Sequence, residues 1–83
     1  MKKILLIEDE DPIRRVLSKI LTEENENYII TEAEDGKSGL AHISKTNFDL
    51  VLCDIKMPKM DGIEVLKKVK TKYSSIPFIM LTG

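Results

Sequence analysis

Leu50-Val51-Leu52-Cys53-Asp54-Ile55-Lys56-Met57-Pro58 decides how this chain folds. Four apolar residues lead to a carboxylate, and a proline soon after bars the run from continuing. The stretch reads as a strand covered on both faces, with an acid at its C-terminal end. A second run, Lys3-Ile4-Leu5-Leu6-Ile7, ends on Glu8-Asp9, and a third, Ile79-Met80-Leu81, ends on Thr82-Gly83. In an open parallel sheet such strand ends share one edge, where ligands bind. Glu8, Asp9 and Asp54 brought together there offer only oxygen ligands, the donor set of a hard divalent cation.

The segments between these runs read as helices. Asp11 is expected as an N-cap with Pro12 at the first helical position. Ile13, Val16, Leu17, Ile20 and Leu21 then share one helical face, with Arg14, Arg15, Ser18 and Lys19 on the other. Tyr28 to Glu32 is β-branched and aromatic, a second strand. After Asp35-Gly36 a short helix runs to about Ser44 with Leu40 and Ile43 inward, and Phe48 to Cys53 forms the third strand. Asp61 and Glu64 resemble a capping box, with Met60 and Val65 placed as a hydrophobic staple. Ile63, Leu66 and Val69 are expected as the buried stripe of that helix, and Lys67, Lys68, Lys70 and Lys72 as a solvated face near its end. Pro77 to Leu81 is the fourth strand. The βαβαβαβ alternation predicts a parallel α/β sheet with right-handed crossovers.

Composition limits the function. Eighty-three residues with net charge −1 make one small domain without the basic footprint of a nucleic-acid binder. The single cysteine excludes an internal disulfide framework and fits a reducing, cytoplasmic setting. The apolar run after Met1-Lys2-Lys3 stops at Glu8, too short for a signal-peptide core or a membrane span. Because the sequence stops at Gly83, strand 4 is expected as an uncovered edge beside a bare sheet face. The expectation is a fragment, a partly ordered chain or half of an intertwined, dimeric assembly.

These residues resemble the receiver domain of two-component response regulators. The resemblance rests on the acidic pair Glu8-Asp9, on Asp54 followed by Met57-Pro58 and Met60-Asp61-Gly62, and on the hydroxyl and small residue Thr82-Gly83. It covers residues 1–83, about the first two-thirds of such a domain, and implies a flavodoxin-like sheet of order 2-1-3-4 without the fifth strand and last two helices. It implies that Asp54 accepts a phosphoryl group from a histidine kinase or phosphotransfer protein. Mg²⁺ would be ligated by Asp9, Asp54 and the backbone carbonyl of Lys56, with Glu8 acting through bound water. Thr82 and the N–H groups of Lys56 and Gly83 would contact phosphoryl oxygens. The family's lysine and aromatic switch residue on strand 5 have no counterpart in residues 1–83. Glu8 stands where the family usually has an aspartate.

Plainer readings stand beside these. Glu10 and Asp11 read as solvated or capping residues, and Asp61 as a cap. Cys53 reads as a small buried hydrophobe, His42 as a surface residue, and Met57, Met60 and Met80 as packing. Two other functions remain open: a self-associating interaction module that accepts no phosphoryl group, and a fragment of a haloacid-dehalogenase-type phosphatase. The second would use Asp9-Glu10-Asp11 as its Asp-x-Asp motif and leaves the Asp54 stretch unexplained.

Overall fold

The computed structural model describes residues 1–81. The elements alternate as β1 (Lys2–Ile7), α1 (Asp11–Glu24), β2 (Tyr28–Ala33), α2 (Gly36–Lys45), β3 (Leu50–Asp54), α3 (Gly62–Lys72) and β4 (Phe78–Leu81). All strand pairs are parallel, in the order β2-β1-β3-β4. This is the expected flavodoxin-like order. The chain runs outward from β1 to β2, then crosses back over β1 to β3. Crossovers of one hand that travel in opposite directions put their helices on opposite faces. Accordingly α2 and α3 pack together on one face, while α1 lies on the other against β2 and β1. The reversal leaves a crevice at the C-terminal ends of β1 and β3.

The main core lies under α2 and α3. Leu5 and Ile7 of β1 and Val51 and Cys53 of β3 meet Ile43, Val65 and Val69 there, with Phe48 and Met57 closing the ends. Burying one such aliphatic side chain stabilises the fold by about 1.5–3 kcal/mol. The stripe on α3 differs from the expected one. Val65 and Val69 are buried one turn apart, but Ile63 is 48% exposed, because it points away from their shared face. Met60 packs against the same core, as a staple residue should. The Asp61 carboxylate caps α3 by accepting from the Glu64 N–H at 2.9 Å. Asp35 caps α2 in the same way through Ser38 N–H at 2.7 Å.

Helix α1 departs from expectation twice. Its N-cap is Glu10, without a side-chain cap, and Asp11 is already the first helical residue. The Asp11 carboxylate is turned to Arg14 instead of to free backbone N–H groups. Its apolar face is also only half used: no α1 residue is fully buried, and Ile13, Val16 and Ile20 are 44%, 57% and 55% exposed. The stripe is wide enough to cover two neighbours, and among the described residues α1 leans chiefly on β2 and β1. On the same sheet face β3 and β4 carry no helix among the described residues, and Ile79 is 50% exposed. No helix of the described residues is long and apolar enough to cross a membrane.

Candidate functional site

Strand alternation sets the site. Val51 and Cys53 point into the core under α3, so Leu52 and Asp54 point to the α1 side. On β1, Leu5 and Ile7 take the core side, which sends Glu8 to the same side as Asp54. Parallel pairing of Ile7 with Cys53 brings the two strand ends level. One carboxylate oxygen each from Glu8, Asp9 and Asp54 then falls within 4.8 Å of the others. A cleft of about 670 Å³ opens over them, lined by Glu8, Glu10, Asp54 and Lys56 on its polar side and by Ile13, Leu17, Met80 and Leu81 on its apolar side.

The three acids differ in surroundings. Glu8 is buried at 5% exposure, while Asp9 and Asp54 are half-buried. The Glu8 carboxylate accepts one hydrogen bond, from Glu10 N–H at 3.1 Å. Burial raises the Glu8 pKa above the usual 4.5, the neighbouring Asp9 and Asp54 add to that rise, and the Glu10 N–H opposes it. Among the described residues no ion pair reaches Glu8, Asp9 or Asp54. A partly buried cluster of carboxylate oxygens that no described ion pair neutralises fits a small hard cation that draws on carboxylates and water.

Of the residues singled out in the sequence, Glu8, Asp9, Asp54 and Lys56 are gathered at this cleft, with the Lys56 side chain exposed. Thr82 and Gly83 lie outside the described residues. Glu10 lines the cleft and holds Glu8 by its backbone, while Asp11 faces Arg14. His42 is half-buried in α2, on the opposite face of the sheet. Cys53 is fully buried next to Asp54, and burial, reinforced by the Asp54, Glu8 and Asp61 carboxylates, pushes its thiol up to about 12. It is a core residue and not a nucleophile at neutral pH.

Arg14 escaped the sequence reading, which put it on the solvated face of α1. Its side chain is only 11% exposed. It donates through Nη1 to the backbone carbonyl of Glu8 at 2.8 Å, through Nε to Glu32 at 3.1 Å, and through Nη2 to Asp11. Burial works against its charge, but Asp11 and Glu32 outweigh it and raise the Arg14 pKa. Helical periodicity carries no sign of this. The one available hint was an aspartate three residues earlier, a spacing that pairs side chains within a helix.

A parallel α/β sheet of this order carries its oxygen-only acidic cluster at the β1/β3 crevice, the place where such sheets bind ligands. The sequence matches the response regulator receiver domain family over residues 4–83. The chain belongs to that family. It is 48% identical over 81 residues to the transcriptional regulatory protein ResD of Bacillus subtilis (strain 168), covering 98% of this chain and 32% of ResD. It therefore spans about a third of the length of that relative. Among solved structures, the response regulator TrrA of Thermotoga maritima in complex with Mg²⁺-BeF superposes with a TM-score of 0.93 at 40% identity, over 99% of this chain and 70% of that one. TrrA in complex with the histidine kinase ThkA gives a TM-score of 0.92 at 40% identity, over 100% of this chain and 70% of that one.

Proposed function

We propose that this chain is a phosphoacceptor signalling domain whose Asp54 takes a phosphoryl group from a phosphohistidine on a histidine kinase or phosphotransfer protein. The observation that carries the reading is the approach of Glu8, Asp9 and Asp54 to within 4.8 Å at the crevice of a receiver-type sheet. The TrrA complexes with Mg²⁺-BeF and with ThkA support the cation and the class of partner.

Asp9, Asp54 and the backbone carbonyl of Lys56 would hold Mg²⁺, with Glu8 acting on it from further out, through water. When bound, such an ion would supply the positive charge that offsets repulsion between the Asp54 carboxylate and a phosphoryl group. An Asp54 carboxylate oxygen attacks phosphorus, and an O–P bond forms as the P–N bond to imidazole breaks. The leaving nitrogen keeps the electron pair and takes a proton from solvent. By the family resemblance, the Thr82 hydroxyl and the N–H groups of Lys56 and Gly83 would donate to the phosphoryl oxygens. The chemistry this reading assigns to residues 1–83 is the gain and loss of the domain's own phosphoryl group.

Intact mass before and after acetyl phosphate with Mg²⁺ tests this. A single phosphoryl adduct that disappears in Asp54→Asn supports the assignment. An adduct that disappears in Asp9→Asn but persists in Asp54→Asn would instead point to the phosphatase reading.

A second reading, self-association of the 83-residue chain, is favoured by the exposed apolar face of Ile13, Val16, Ile20 and Ile79. Two copies joined through this face give a dimer by light scattering, and Val16→Glu returns it to monomer. A wild-type monomer at high concentration sinks this reading.

A further inference from the structure

We infer that Arg14 is a positioning residue for the acidic site: it fixes the Glu8–Asp9 peptide and thereby sets how tightly the site holds its divalent cation. The inference rests on the cation reading above and concerns a residue that reading does not use.

The Glu8 carbonyl and the Asp9 amide are one planar unit. Arg14 Nη1 holds the oxygen of that unit at 2.8 Å. The Glu8 amide on the other side of the residue is tied to the Ala33 carbonyl of β2 at 3.1 Å. Fixing the peptide before Asp9 fixes where the Asp9 side chain starts. The guanidinium is itself held by Glu32, beside Ala33 at the end of β2, and by Asp11 in the first turn of α1. Arg14 N–H also donates to the Glu10 carbonyl at 2.9 Å, so the residue pins the 8–11 turn from its backbone and its side chain. Only a planar fork with several N–H groups reaches three partners at once, which a lysine ammonium on a single flexible stem does not reproduce.

Charge alone predicts the opposite sign. Arg14 is a cation near a cation site, so removing it should tighten Mg²⁺ binding if electrostatics were its whole effect. If it positions the turn, removing it weakens binding, because ligands that must be ordered on binding cost affinity. Outer partners of metal ligands typically matter by about 10–100-fold in affinity.

The experiment is calorimetric titration of Mg²⁺ into the wild type, Arg14→Met, Arg14→Lys and Glu32→Gln. It is paired with amide hydrogen exchange on the metal-free proteins. Arg14→Met and Arg14→Lys are expected to weaken Mg²⁺ by about tenfold or more, with Glu32→Gln between them and the wild type. The Glu10 amide, held on Glu8 in the wild type, is expected to exchange faster in both Arg14 variants. Unchanged or tighter binding in Arg14→Met overturns the inference, as does full affinity in Arg14→Lys. A wild type that binds no Mg²⁺ would overturn the cation reading instead. In that case unchanged Glu10 exchange in Arg14→Met still refutes the clamp, and faster exchange upholds it.

Discussion

Gly62 packs directly against the backbone of Asp54. Its amide donates to the Ile55 carbonyl at 2.8 Å, and a methyl group on its Cα would overlap the Asp54 carbonyl oxygen and lie 2.8 Å from the Ile55 Cα. Both obstacles are backbone, so no side chain can turn aside. Helix α3 can start this close to the end of β3 only because the residue there has no Cβ. We predict that Gly62→Ala destabilises the domain by about 1–3 kcal/mol or more and lowers phosphoryl uptake beyond what lost stability explains. Urea unfolding with mass spectrometry at matched folded fractions checks both.

Glu8 makes the metal-free domain sensitive to pH. Its folded-state pKa is raised above the ordinary 4.5, first by burial. The folded state therefore binds that proton more tightly than the unfolded state does. Its contribution to stability is complete below about pH 4.5 and is lost as pH rises through the folded-state value. In chelator, Glu8→Gln should remove this fall and be at least as stable as the wild type at pH 7. Mg²⁺ should then stabilise the wild type more than the variant. Urea midpoints across a pH series give the slope, and parallel slopes would count against the argument.

Cys53 should report unfolding. Its thiol is pushed from 9.0 up to about 12, so it stays neutral in the folded state at pH values where an unfolded chain forms thiolate. Stability is accordingly lost as pH rises from about 9.0 toward about 12. At neutral pH, iodoacetamide labelling should follow the urea unfolding curve. Labelling of the native protein at the rate of a free thiol would contradict the burial.

The β3–α3 loop holds a left-handed residue. Lys59 has φ of 69°, and Met60 N–H donates back to the Pro58 carbonyl at 2.9 Å, a γ-turn around an L-residue. Lys59→Val should cost about 1–3 kcal/mol, since a β-branched side chain resists positive φ. Lys59→Gly should stay within about 1 kcal/mol of the wild type, because relieved strain is offset by greater freedom in the unfolded chain. Equal stability for both variants would show that the turn is not strained.

The strands were legible because three of the four are short apolar runs that stop at polar residues and the fourth, β2, is β-branched and aromatic, and Asp54, Asp9 and Glu8 followed directly from where the runs stop. Less visible were features that depend on what a helix meets after folding. The stripe Ile13, Val16, Ile20 looks in sequence like a buried face, but among the described residues α1 packs on only part of it, chiefly against β2 and β1. Asp11 has the chemistry of an N-cap, yet the nearby guanidinium of Arg14 competes for its carboxylate and wins. Ile63 satisfies apolar periodicity nearly as well as Val65, and only the direction of α3 decides between them. Arg14 itself became visible only when β2 placed Glu32 beside the end of β1.

The pairing of Ile7 with Cys53 and of Cys53 with Met80 also acts as a check on assembly. If β3 slid by one residue against its neighbours, every side chain on it would change face. A slip that carried Asp54 into the position of Cys53 would turn its carboxylate toward the core face that holds Val65 and Val69, and would leave the cleft without it. An unpaired charge in an apolar core is among the costliest errors a fold can make. The residue that gives the domain its chemistry therefore also penalises its misassembly, and a neutral substitution there should let the strand wander more freely while the chain folds.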